Sequence, residues 1–123
     1  MKTIAVVEDN ADNRLLLGAL LGELYRIVEY EDGIEALAGM RRHPPDLVLL
    51  DISLPGMDGS EVLRRIRAEP ALSRLPVIAL TAHAMAGDRE RYLDQGFDHY
   101  VAKPIMDEEE LLGAIERLLA PKS

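Results

Sequence analysis

The chain contains no cysteine, which removes disulfides, thiolate metal sites and thiol chemistry together. No apolar run approaches the roughly 18 residues of a membrane-spanning helix. The opening MKTIAVVED has one Lys and a short apolar run that stops at acids, so it does not read as a signal peptide, and a cytoplasmic protein is expected. The clusters of Lys and Arg that bind phosphate backbones are missing too. The formal net charge of -8 argues against nucleic acid as a direct partner. There is no G-x-x-x-x-G-K phosphate cradle, so ATP is not the expected phosphoryl donor.

What remains is a chain of 123 residues, 48% of them hydrophobic, enough for one domain around one core. Short apolar runs alternate with helical patterns. Strands are expected at TIAVV (3–7), RIVEY (26–30), DLVLL (46–50), PVIAL (76–80) and HYVA (99–102). Helices are expected over 12–24, 34–43, 60–69, 87–96 and 107–120, the third with Ser60 as its N-cap. Strands alternating with helices imply a parallel sheet covered on both faces, a (βα)5 doubly wound α/β fold. DLVLL and PVIAL lack polar alternation, as strands buried on both faces do. In such sheets the functional site lies beyond the carboxyl ends of the strands.

Those ends carry the chemistry. DLVLLDISLPGMDG runs four apolar residues into Asp51, and a buried carboxylate costs several kcal/mol unless something compensates it. The first strand ends at Glu8-Asp9, the fourth at Thr81, the fifth at Lys103-Pro104. On one rim, Glu8, Asp9 and Asp51 would crowd three carboxylates, which needs cations nearby. Lys103 is one. A hard divalent ion with oxygen ligands, Mg²⁺ in pattern, supplies the rest. Carboxylates, metal, Lys and hydroxyl together make a phosphoryl site. Asp51 is its nucleophile, to be carried as an aspartyl phosphate, with Lys103 and Thr81 on phosphoryl oxygens.

The set VVEDN, LVLLDISLPGMDG, ALTAHA and YVAKPI resembles the receiver domain of two-component response regulators, above all single-domain receivers and those attached to hybrid histidine kinases. The resemblance covers the chain from Lys2 to about Leu119. It implies the flavodoxin-like strand order 2-1-3-4-5, and phosphate received at Asp51 from a histidine kinase or phosphotransfer protein in a phosphorelay. It also implies Mg²⁺, with Mn²⁺ as a substitute, held by Asp9, Asp51 and the backbone carbonyl of Ser53, with Glu8 acting through water. Thr81 and Tyr100 become a switch pair, Lys103 the phosphate sensor, and the bond before Pro104 a cis peptide. Downstream protein targets would read the switched surface. The chain is expected to be one receiver domain over 1–123 without an output domain, and a signalling domain rather than an enzyme beyond its own phosphorylation and slow dephosphorylation.

Other readings stay open on the residues alone. A Mg²⁺-dependent phosphatase or Toprim-like enzyme would need a D-x-D pair, where this chain has Glu8-Asp9-Asn10 and Asp51-Ile52-Ser53. A vestigial adaptor should have lost Asp51, Thr81 or Lys103. His43, His83 and His99 do not form a metal cluster by spacing, and the resemblance to receivers puts His83 where it could shield a phosphate from water. The first helix carries Leu15, Leu16, Leu17, Leu20, Leu21 and Leu24 over roughly 240° of arc. Leu16, Leu20 and Leu24 should face the sheet with Leu17 and Leu21 beside them, leaving Leu15 outside near Gly18 and Gly22, two glycines that suggest close approach by another element. The resemblance to receivers makes this outer face a docking surface for the partner at Leu15, and adds Asp12, Asn13 and Ile105 to it.

Overall fold

A computed structural model of the chain describes residues 1–82, 87–103, 105 and 107–120. Strands and helices alternate throughout: β1 (Thr3–Val7), α1 (Ala11–Leu21), β2 (Arg26–Tyr30), α2 (Gly33–Arg42), β3 (Leu47–Asp51), α3 (Gly59–Ala68), β4 (Val77–Thr81), α4 (Asp88–Gln95), β5 (His99–Ala102) and α5 (Glu108–Leu119). Every strand pairing is parallel, and the sheet order is β2-β1-β3-β4-β5, as the resemblance implied. The reversal of strand order falls between β1 and β3, where ligand sites of open α/β sheets lie.

Successive side chains of a strand point to opposite faces, and that alternation sorts the core into two layers. Ala5, Val7, Val48, Leu50, Val77 and Ala79 pack with Leu37 and Met40 of α2 and Val62 and Ile66 of α3. Ile4, Val6, Leu47, Leu49, Ile78 and Leu80 meet Leu17 and Leu21 of α1 and Leu111 and Ile115 of α5. The central strands β3 and β4 are buried at every position, which is why they read as unbroken apolar runs. The same parity reaches the rim. Asp51 follows Leu47 and Leu49, Glu8 follows Ile4 and Val6, and Lys103 follows Val101, so these three belong with the α1 and α5 layer. Thr81 follows Val77 and Ala79, and Tyr100 packs against that opposite layer.

Several boundaries differ from the sequence reading, each for a local reason. β3 starts at Leu47, not Asp46, because the Asp46 carboxylate accepts the Thr3 amide at 2.7 Å and closes the start of β1. α3 starts at Gly59 and its N-cap is Asp58, not Ser60: the Asp58 carboxylate accepts the Glu61 amide. Asn10 caps α1, Asp32 caps α2 and Asp107 caps α5 in the same way. Four helices thus begin on a side chain that satisfies an otherwise unpaired N–H.

The packing of α1 also differs. Leu17 and Leu21 are buried and Leu20 half-buried, whereas Leu16 and Leu24 are exposed. The helix ends at Leu21, so Leu24 falls in the following turn, and a four-residue step between Leu17 and Leu21 is enough to cover the sheet. Leu15 does face outward, 73% exposed. Gly18 marks no close approach: a methyl group there would meet nothing within 4 Å, and Gly22 is the C-cap of the helix. The expectations for His83 and Pro104 lie outside the described residues.

Candidate functional site

Asp51 is the last residue of β3 and is buried. One carboxylate oxygen, Oδ1, accepts the Ser53 amide at 3.0 Å. The other, Oδ2, lies 3.1 Å from Lys103 Nζ. The chain can turn away from Asp51 because the next helix starts on Gly59, whose amide bonds the Ile52 carbonyl. A side chain at position 59 would put its Cβ 2.5 Å from the Asp51 carbonyl oxygen and 2.7 Å from Ile52 Cα, so only glycine permits this approach of loop to strand end.

Glu8, one residue past β1, is fully buried. Lys103 Nζ is 3.1 Å from its Oε1, so one ammonium bridges the ends of β1 and β3. Asn13 Nδ2 donates to the same Oε1 at 2.5 Å, and an Arg14 guanidinium nitrogen donates to the Glu8 carbonyl at 2.8 Å. Arg14 is itself anchored on Glu29 and Glu31 at the end of β2. Asp9 is exposed, yet carboxylate oxygens of Glu8, Asp9 and Asp51 all lie within 4.8 Å of one another. A compact set of hard oxygen donors with one open side fits a small divalent cation such as Mg²⁺ better than a soft-ligand metal.

The electrostatics of the pair follow from burial. Glu8 is pushed up to about 7, first by loss of solvent and then by the neighbouring Asp51, with Asn13 and Lys103 acting the other way. Burial would raise Asp51 as well, but hydrogen bonds from Glu8 and the Ser53 amide, with the charge of Lys103, hold it below its usual value. Lys103 is raised despite its burial, because both acids favour its charged form.

Thr81 ends β4 fully buried, in the opposite layer. Its hydroxyl lies 3.4 Å from the hydroxyl of Tyr92, the one buried residue of α4, which the sequence reading passed over. Tyr92 also accepts a hydrogen bond from Arg91 at 3.1 Å, and its ring packs edge-on against Phe97 and tilted against Tyr100. Thr81 and Tyr100 thus sit on one side of the sheet with Tyr92 touching both. The only sequence signal for Tyr92 was a lone aromatic inside the charged run DRERYLDQ.

The four docking residues divide. Asp12 and Leu15 are exposed on α1. Ile105 is half-buried and lines a cavity of about 30 Å³ with Leu16, Leu17 and Leu80, floored by Glu8 and Lys103. Asn13 is half-buried, and its amide is committed to Glu8 rather than presented outward. Ser53 is exposed beside Asp51, with its amide on that carboxylate.

Comparison with known proteins agrees with this geometry. The chain is 44% identical over 107 residues to the signal transduction histidine-protein kinase BarA of Escherichia coli K12, a match covering 86% of this chain and 12% of that kinase. It therefore spans a small fraction of that protein's length. It is 42% identical over 105 residues to the polar-differentiation response regulator DivK of Brucella ovis, covering 85% of each. Among solved structures, the receiver domain of sensor histidine kinase PA1611 from Pseudomonas aeruginosa PAO1, which has a magnesium ion coordinated in its active site cleft, superposes with a TM-score of 0.86 at 40% identity, over 96% of this chain and 97% of that one. The family model for the response regulator receiver domain matches residues 4–116, from the second residue of β1 into the last helix. A match over all five strands, on a sheet of this order, makes the chain a member of the response regulator receiver domain family.

Proposed function

We propose that Asp51 is the phosphoacceptor of this receiver. The carrying observation is that a buried carboxylate stands at a central strand end with a lysine ammonium 3.1 Å away and with carboxylate oxygens of Glu8 and Asp9 within 4.8 Å of its own. An Asp51 oxygen attacks the phosphorus of a phosphohistidine on a histidine kinase or phosphotransfer protein. The P–O bond forms as the P–N bond breaks, and the imidazole leaves with the bonding pair. Slow hydrolysis returns inorganic phosphate and the free carboxylate, and no other chemistry is assigned to the domain. Lys103 pairs with one phosphoryl oxygen and the Thr81 hydroxyl donates to another.

Glu8, Asp9, Asp51 and the Ser53 carbonyl are the residues that would hold Mg²⁺, or Mn²⁺ in its place. The bound ion supplies positive charge to neutralise the phosphoryl oxygens. The magnesium in the PA1611 receiver supports this assignment. Once Thr81 moves toward the phosphoryl group, Tyr100 turns inward and α4 shifts, altering the surface read by downstream proteins. The exposed face of α1 around Asp12 and Leu15, with Ile105, receives the phosphodonor. No helix among the described residues is long and apolar enough to cross a membrane, and the cytoplasm is the assigned site of action.

The test is chemical. Acetyl phosphate with Mg²⁺ should add one base-labile phosphoryl group, and Asp51→Asn should abolish it. Phosphate mapped to Ser53, Ser60 or Thr81 would overturn the assignment.

A further inference from the structure

The resemblance to receivers places Asn13 among partner-docking residues, but its side chain does something else. Its amide donates to Glu8 Oε1 at 2.5 Å, while its own backbone N–H is held by Asn10 at the start of α1. The next residue, Arg14, holds the Glu8 carbonyl at 2.8 Å. Two consecutive residues of the first helical turn therefore grip Glu8 at its side chain and at its backbone. Glu8 is fully buried, and a buried carboxylate without hydrogen bonds is costly.

The other group on that carboxylate is Lys103, 3.1 Å from Oε1 and 3.5 Å from Oε2, and Lys103 is equally committed to Asp51 at 3.1 Å. In the function proposed above, the ammonium turns to a phosphoryl oxygen, and its hold on Glu8 weakens at that moment. The amide of Asn13 has no such second duty. It is also neutral, so it fixes the carboxylate without repelling a divalent cation, as a lysine or arginine at that position would.

We propose that Asn13 is a positioning residue for the metal site, keeping the Glu8 carboxylate aimed at Asp9 and Asp51 independently of Lys103. This rests on the reading of Glu8, Asp9 and Asp51 as the Mg²⁺ residues. The tether acts before any phosphodonor arrives, so it works equally with a protein donor and with a small molecule.

The experiment titrates Mg²⁺ alone into the whole chain, followed by amide NMR shifts, for wild type, Asn13→Ala and Asn13→Gln. Loss of a hydrogen bond to a charged group should weaken Mg²⁺ binding about tenfold in Asn13→Ala. Asn13→Gln, which keeps an amide, should recover part of it. Labelling by acetyl phosphate should fall at low Mg²⁺ and recover as Mg²⁺ is raised past the variant's own Kd. An unchanged Mg²⁺ Kd in Asn13→Ala overturns the proposal, whether the variant shows slower transfer from a phosphorylated histidine donor, as a docking residue would, or only a lower melting temperature, as a structural one would. If wild type binds no Mg²⁺, the metal reading and this proposal fall together. If Mg²⁺ binding weakens as stated but Asp51 takes no phosphate, Asn13 positions a metal and the phosphoacceptor reading alone fails.

Discussion

The two halves of the rim are held very differently. On the acidic side, α1 begins on a side-chain cap, Asn13 and Arg14 tie its first turn to Glu8, and Lys103 joins Glu8 to Asp51 across three strand ends. On the other side, α4 has eight residues and begins at Gly87, which has a positive φ of 90° and no side chain to cap the helix. Tyr92 alone of its residues is buried, and it is held by two ring contacts and a 3.4 Å approach to Thr81. Elements with few buried apolar contacts and a weak start open most readily. A phosphoryl site needs fixed groups, because positioning is most of its catalysis. A reporter needs the reverse, a segment that one new hydrogen bond can displace. The sheet places the two on opposite faces, with Asp51 and Thr81 on neighbouring central strands linking them.

The largest effect should come from breaking the rigid half at its tightest point. Gly59→Val drives a side chain into the Asp51 carbonyl and Ile52, both backbone, and should cost about 3 kcal/mol in urea unfolding. A change below about 0.5 kcal/mol would show that the loop yields.

Next is the pH response of that half. Glu8 has a folded pKa near 7 against 4.5 unfolded, so the folded state binds the extra proton between those values. Stability of the metal-free protein should therefore fall as pH rises from about 4.5 to 7, apart from other groups. Glu8→Gln should remove that decline, stabilising the metal-free protein more at pH 8 than at pH 5. Asp51 has the opposite sign: with its pKa lowered, its contribution is present above its usual value and lost as pH falls through the folded one. In the proposed metal site Mg²⁺ would compete with the proton on Glu8, so wild-type Mg²⁺ affinity should rise with pH through about 7. A flat affinity profile would place Glu8 outside the site.

Smaller effects belong to the loose half. Tyr92→Phe removes the hydroxyl between Thr81 and Arg91 and should cost about 1 kcal/mol. Arg91 is exposed, its guanidinium 4.9 Å from the centre of the Tyr92 ring, and Arg91→Ala should cost about 0.5 kcal/mol, read from the urea midpoint. A larger loss from either than from Gly59→Val would invert the comparison.

What the sequence made legible follows the same division. Buried parallel strands announce themselves as apolar runs, and their ends as the charged residues that stop them, so residue order alone assigns Glu8, Asp9, Asp51, Thr81 and Lys103 to one rim. Asp58 as a cap was visible in the spacing Asp58-x-x-Glu61, yet Ser60 was the more conspicuous residue. Side-chain direction was the harder quantity. Five leucines on α1 do not reveal which two are buried, and Asn13 reads as a surface polar residue until its neighbour Glu8 is seen to be buried. Tyr92 was hidden because a single aromatic in a charged helix makes no amphipathic pattern.

The central claim is that the acidic side stays fixed while α4 responds. Amide hydrogen exchange with Mg²⁺, compared with and without beryllofluoride as a phosphoryl mimic, tests it directly. The account predicts that exchange changes most in Asp88–Gln95 and through Tyr100, while β1, β3 and the first turn of α1 keep their protection. Equal protection of α4 in both states, or a larger change in α1 than in α4, would contradict it.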